Sequence, residues 1–297
     1  MNPRESGFLL LTSQLGNPER KPLTVAQFRT LASRVRAAEA PQTDRELTSK
    51  DLVILGYSHE MGQRISGLLS EQQLLEYYLS KGRRSGCVPL TRITEGYPHQ
   101  VREALNDDSP GTLWAKGDLT LLATPCVSLV GSRDLSDANR EFAGLVGIQA
   151  AKQGYTLVSG NARGADKAAQ DACLAAGGNV ICVVADSLEK QRSRERVLYL
   201  SEDGFDCPFS SQRALSRNLV IHSLGKLAFV AQASLGRGGS WDGTVKNLNG
   251  GWSAVYCYDD GSQAMIQLCQ MGAERIKIDA LRDIDALIKE KRDFFHM

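Results

Sequence analysis

The sequence predicts an α/β fold built on a doubly wound, mostly parallel sheet and preceded by a small helical domain. Two observations carry this. From Cys126 onward, short apolar runs alternate with helical stretches, the pattern of strands buried on both faces and joined by right-handed crossovers. Glycine-rich turns punctuate that alternation. Val130-Gly131-Ser132-Arg133 and Ser159-Gly160-Asn161-Ala162-Arg163-Gly164-Ala165-Asp166 each follow an apolar run, and Gly238-Gly239-Ser240-Trp241-Asp242-Gly243-Thr244 precedes a later helical pattern. In a parallel sheet the strand ends gather on one edge, where glycines leave backbone N–H groups and helix N-termini free to hold phosphate. The domain reads as Rossmann-like, and its strand-end edge as a site for something anionic.

Residues 1–118 form the expected helical module. Leu23, Val25, Phe28, Leu31, Ala32 and Val35 keep one helical face apolar. Ser58 ahead of Met61, Ile65, Leu68 and Leu69, and Ser70 ahead of Leu74, Leu75, Tyr78 and Leu79, predict two short consecutive helices with hydroxyl N-caps. Val88 to Arg92 and Thr112 to Lys116 read as short extended pieces, separated by Tyr97-Pro98 and a helix through Leu105. The Rossmann-like unit spans 119–278. Its strands are expected at Cys126 to Val130, Thr156 to Ser159, Val180 to Ala185, Val197 to Leu200, Leu227 to Gln232, Ala254 to Tyr258 and, weakly, Arg275 to Ile278. Helices are expected at Ala138 to Gln153, Ala165 to Ala176 and Ser211 to Leu224, and residues 279–297 form a tail with a helix from Leu281 to Lys291.

Composition narrows the function classes. The chain has 297 residues, 42% hydrophobic and 23% charged, with a formal net charge of +1, so nucleic-acid contact has to come from a local basic patch. Its seven cysteines are scattered singly with no CxxC pair, which suits buried thiols in a reducing, cytosolic compartment and gives no zinc framework. The apolar stretch Phe8 to Leu11 is too short to span a membrane and lacks the flanks of a signal peptide. His59, His99, His222 and His296 do not cluster, and no GxSxG, Walker or HExxH motif occurs. No metal, cofactor or catalytic group is expected. The run Lys81-Gly82-Arg83-Arg84 reads as the charged C-terminal end of a helix.

The first turn lacks the GxxG continuation of a dinucleotide fingerprint, since Gly131-Ser132-Arg133 runs into Asp134-Leu135. An arginine at a strand end instead offers a planar fork to phosphate. Five segments then occur in order: Pro110 to Leu122, Val130 to Arg133, Ser159 to Asp166, Ala176-Gly177-Gly178, and Ser216-Arg217-Asn218 through Ile221. Together they resemble the DNA-processing protein A family, also called Smf, over about Tyr97 to Tyr258. The resemblance implies an extended Rossmann fold that binds single-stranded DNA without catalysis, often as a homodimer. In natural transformation it implies transfer of that strand to a RecA-type recombinase.

Carried onto this chain, the resemblance implies a pocket of Gly131, Ser132, Arg133, Ser159, Gly160, Arg163, Arg217 and Asn218. Gly239, Ser240, Thr244 and Lys246 are added as phosphate-binding candidates from the third turn, with Trp241 as a candidate for base stacking. Asp166 is expected to cap the helix that follows its turn. The chain departs from the family pattern at Asn179 and at Asp186-Ser187-Leu188, where a lysine or proline and a later Tyr-Pro pair are usual. The wider superfamily includes phosphoribohydrolases with a glutamate in the third turn; here Lys246 stands there, which disfavours glycosidic hydrolysis. Two other readings stay open: a sensor for a small nucleotide in the same pocket, and an N-glycosidase using Asp242.

Overall fold

The computed structural model describes residues 1–38 and 47–288; His296 and the last part of the expected C-terminal helix lie outside them. The chain opens with five helices, α1 (Pro3–Thr12), α2 (Val25–Ala37), α3 (Ser49–Ile54), α4 (His59–Leu69) and α5 (Gln72–Arg84). Then follow β1 (Val88–Thr91), α6 (His99–Leu105) and β2 (Thr112–Gly117). The alternating region supplies β3 (Cys126–Val130), α7 (Asp137–Lys152), β4 (Thr156–Ser159), α8 (Ala165–Ala175), β5 (Asn179–Val184) and β6 (Val197–Glu202). It continues with α9 (Ser211–Leu224), β7 (Leu227–Val230), α10 (Gly239–Gly250), β8 (Ala254–Tyr258), α11 (Gln263–Gln270) and β9 (Glu274–Ile276).

The nine strands among the described residues join one sheet in the order β1-β2-β6-β5-β4-β3-β7-β8-β9. From β6 to β9 every pairing is parallel; β1 and β2 add an antiparallel edge onto β6. Strand order runs outward from β3 in both directions. The carboxyl ends of β3 and β7 are therefore the topological switch point, where an open α/β sheet leaves a crevice for ligands.

Side chains alternate across the strands and feed two cores. Val127, Leu129, Leu157 and Val180 pack with Phe142 and Val146 of α7 and with Ala169 of α8. Val130, Val158, Ile181 and Val183 pack on the other face with Val220, Ile221 and Leu224 of α9. The amino-terminal helices fasten onto the first face through an aromatic cluster. Tyr78 of α5 lies 5.3 Å from Trp114 of β2 and 4.6 Å from Phe205, ring centre to ring centre. Tyr78 Oη and Lys81 Nζ both donate to Asp206, at 2.6 and 2.9 Å.

Ser58 caps α4 as the sequence suggests, accepting from Met61 N–H at 3.2 Å. Ser70 does not cap α5. It ends α4 and donates to the Gly67 carbonyl, because the interval between the two helices is too short for a separate cap. The segment around Gly238-Gly239 also departs from expectation: α10 begins at Gly239, so Ser240 through Thr244 are helical rather than a loop.

His222 lies wholly buried between α9 and α10, with Nδ1 facing the Asn247 amide at 3.0 Å. Burial pushes its ring down to about 4 from an ordinary 6.5. A depressed folded-state value means the unfolded chain takes up the proton first. Stability is therefore full above pH 6.5 and drains by about 3 kcal/mol between there and pH 4. Denaturant titrations of wild type and His222→Gln across this window should show the steeper acid loss only in wild type; parallel curves would rule the effect out.

Candidate nucleic-acid interface

Three turns meet at the carboxyl edge of the sheet. After β3 the chain passes through Gly131, Ser132 and Arg133, and Ser132 N–H donates to the Gln232 carbonyl beyond β7 at 3.0 Å. That bond stitches the two diverging connections of the switch point together. The Ser132 carbonyl in turn accepts from Ala165 N–H at 3.1 Å, docking the start of α8 onto the first turn. Gly164 makes this docking possible. Its φ is +87°, and a Cβ there would lie 2.3 Å from the Arg133 carbonyl oxygen.

The first turn of α8 already holds an anion, supplied by the chain itself. Asp166 is buried and accepts the Ala162 N–H at 3.0 Å. It is therefore not the expected helix cap: the N-cap is Gly164, and Asp166 ties the preceding loop to the positive end of the helix. Arg217 faces it from α9, with Nη2 3.9 Å from the carboxylate. Its Nη1 donates to the Val183 carbonyl at 3.0 Å. The guanidinium lies directly over Gly160, where a Cβ would fall 1.3 Å from Nη1. Burial raises the Asp166 carboxyl and Arg217 draws it back down; burial likewise lowers Arg217, opposed by Asp166.

The predicted residues of the first two turns and of α9 divide into two groups. Gly160, Arg217 and Asp166 form the buried floor of the edge. Asn218 also faces inward, donating to the Gly239 carbonyl at 2.9 Å. Ser159 sits beneath the turn and not on its surface, because its hydroxyl is wholly buried and accepts from Gln170 at 2.6 Å. Arg133 and Arg163 instead stand in solvent. Among the described residues Arg163 reaches only Asp134, at 3.4 Å, with both side chains largely exposed, a contact worth little in water.

The candidates of the third turn fare differently because that segment is helical. Thr244 is buried and donates to the Ser240 carbonyl at 2.6 Å, so its hydroxyl is spent inside α10. Trp241 packs half-buried against the α9-side core, a plug of the sheet edge and not a free stacking surface. Lys246 pairs with Asp242 one helical turn earlier at 2.9 Å, which also occupies the candidate glycosidase carboxylate. Lys246→Ala should change affinity for a DNA strand less than twofold; a tenfold loss by anisotropy would restore Lys246 to the site.

Two features of this edge escape the sequence-based expectation. Phe209, just before α9, is 55% exposed, a better-placed aromatic than Trp241 for stacking on a base. Its only sequence signal is an isolated aromatic in a polar loop. The segment Lys190-Gln191-Arg192-Ser193-Arg194 lies exposed beyond β5, and Asn161 Nδ2 donates to Gln191 Oε1 at 3.3 Å, so these cations adjoin the second turn. Their alternation with small polar residues was the available signal.

Residues 89–279, from β1 past β9, match the sequence profile of the DNA recombination-mediator protein A family. The chain belongs to that family. Over 156 residues it is 33% identical to the DNA processing protein DprA of Streptococcus pneumoniae, covering 49% of this chain and 54% of that one. It is 30% identical to Protein Smf of Escherichia coli over 156 residues, covering 49% and 41%. The chain thus spans about half the length of these curated relatives. The X-ray structure of S. pneumoniae DprA superposes with a TM-score of 0.69 at 26% identity, covering 93% of this chain and 95% of that one. DNA processing protein A from Helicobacter pylori, described for its single-stranded DNA binding mode, shares the fold with a TM-score of 0.57 at 24% identity, covering 69% and 96%. Family membership accounts for the doubly wound sheet and for the five segments in register. No helix among the described residues is long and apolar enough to cross a membrane.

Proposed function

We propose that this member of the recombination-mediator family is a binding protein for single-stranded DNA, without catalysis, and that it protects the strand or delivers it to a RecA-type recombinase in transformation or recombination. The observation that carries the reading is the pair of exposed guanidinium groups, Arg133 and Arg163, held over a rigid buried floor at the switch point. A flexible strand needs cations that are fixed in place yet open to solvent, and the floor supplies the first condition while leaving the second intact. Lys190, Arg192 and Arg194 extend the row and Phe209 offers a ring to a base. The H. pylori relative, named for single-stranded DNA binding, supports the choice of ligand. The family resemblance is the support for reading the chain as a homodimer.

The test is anisotropy of labelled oligo-dT titrated with protein from low to physiological salt, with mononucleotides as competitors. Binding that falls steeply with salt and resists mononucleotides is the expected result. Displacement by one mononucleotide at one site per chain would replace this reading with that of a small-nucleotide sensor.

A further inference from the structure

Helix α5 buries Leu75, Tyr78, Leu79 and Gly82, four positions that fall on one side of the helix. Tyr77, Lys81 and Arg84 follow at spacings of four and three residues, so they line up as one row along its outer flank. Tyr77 heads the row with 64% of its surface in solvent, more open than Phe209 at the strand-end edge. A single bare ring is ordinary on a protein surface. What sets Tyr77 apart is the company it keeps and where the row leads.

The row borders the segment that runs from β5 to β6. Lys81 Nζ lies 5.4 Å from the centre of the Phe205 ring, and the Phe205 carbonyl accepts from Glu189 N–H at 3.0 Å. Buried Lys116 of β2 ties the two segments together: its Nζ donates to the Glu189 carbonyl at 2.9 Å, and its Cε is 3.9 Å from where a Cβ on Gly86, just past α5, would stand. Two residues beyond Glu189, Gln191 meets Asn161 of the second turn. From β4, which carries that turn, to β2 is three places along the sheet, or about 15 Å. The charges along this path are unevenly committed. Asp206 is held by Tyr78 and Lys81, Asp186 by the Gln191 amide at 3.1 Å, and Glu195 faces Arg196 at 3.8 Å. Lys81 and Lys116 thus balance Asp206 and the neighbouring Glu189. Arg84, Lys190 and Arg192 remain, exposed and without an ion pair among the described residues. In a chain of net charge +1, that is a local positive track.

We propose that a DNA strand leaving the strand-end edge crosses Lys190 and Arg192 and continues onto α5, where Tyr77 stacks on a base and Arg84 takes a phosphate. The inference rests on the single-stranded DNA reading above and extends it from the Rossmann-like unit to the amino-terminal helices. An exposed ring in line with free cations suits an unpaired base, whose flat face is open to stacking and whose backbone carries the matching charge. The loop cations bridge the gap between the two ends of the track, so the arrangement fits a strand of several nucleotides. A single nucleotide is too short to touch both.

The experiment is anisotropy of labelled oligo-dT strands of about 8 and about 20 nucleotides, lengths chosen to cover the strand-end edge alone and the whole track. The full chain is compared with Tyr77→Ala, Tyr77→Phe, Arg84→Ala and the Tyr77→Ala/Arg84→Ala double variant. The double variant should bind the longer strand about tenfold more weakly and the shorter one within about twofold of wild type. Tyr77→Phe should keep wild-type affinity, because stacking needs the ring and not the hydroxyl. Arg84→Ala should lower the salt slope on the longer strand by about 0.7, whereas Tyr77→Ala should leave it unchanged. Both side chains are exposed, so unfolding midpoints should not move. If the double variant held the longer strand as tightly as wild type while Arg133→Ala weakened it, the α5 contact would be lost and the reading of the edge would stand. Equal losses on both strands would also overturn the inference, since the strand would then not be reaching α5 from the edge. A wild-type protein that bound neither length would sink the edge reading and this extension together.

Discussion

Gly160→Ala is expected to destabilise the protein by about 3–5 kcal/mol, an unusually large effect for one added methyl group. The new Cβ would stand 1.3 Å from Arg217 Nη1, so the guanidinium has to leave. Its departure strips the Val183 carbonyl of a donor and leaves Asp166 buried without its counter-charge. Removing one member of a buried pair costs far more than removing both. Arg217→Ala should therefore match Gly160→Ala, while Arg217→Ala combined with Asp166→Asn should recover part of the loss. The pH dependence has a definite sign. With Arg217 gone, only the loop N–H groups and Arg133 oppose burial, so the Asp166 carboxyl rises further and the proton is bound more tightly in the folded chain. Stability is then retained at low pH and lost as pH rises through the folded-state value. Denaturant unfolding of the three variants at acid and alkaline pH tests this; a Gly160→Ala protein within 1 kcal/mol of wild type would disprove the packing argument.

Arg133→Ala and Arg163→Ala should each weaken oligo-dT binding about tenfold at physiological salt, and the double variant about a hundredfold. Each substitution should also lower the slope of log affinity against log salt by about 0.7, the share of one phosphate contact on a single strand. Because both side chains project into solvent, neither variant should unfold more easily than wild type. The two readouts separate cleanly: floor residues move stability, rim residues move affinity and its salt slope. If Arg133→Ala left both affinity and slope unchanged, the strand would have to run elsewhere.

Much of this division was visible in the sequence, and the rest was hidden for physical reasons. Cys126–Val130, Thr156–Ser159, Ala254–Tyr258 and Ser211–Leu224 fall where apolar runs and helical spacing place them. The end of β6 was missed because Ser201 and Glu202 are polar, and only tertiary packing makes them strand. Gly238-Gly239 looks like a loop, yet the helix starts on the second glycine, which turned four candidate phosphate contacts into helix residues. Arg217 was legible as a pocket residue because it stands beside Asn218 within a predicted helix, where two adjacent polar groups must partly face inward. Its pairing with Asp166, 51 positions earlier, was not, since nothing local in either segment specifies the other. Ser159 was placed on the pocket by its turn, although the alternation of its own strand and the reach of Gln170 draw it inside.

The placement of β2 has a consequence for how the chain is made. Its neighbours are β1 and β6, and β6 is the last strand laid down on that side of the sheet. While a ribosome is still synthesising β3 to β5, the five leading helices and the β1–β2 pair have no sheet to rest on. The rings of Tyr78 and Trp114 wait in the open until Phe205 emerges to complete their cluster. Such long-range closure is slow and leaves apolar surface uncovered meanwhile. Nascent chains stalled before residue 205 should be the ones that chaperones hold.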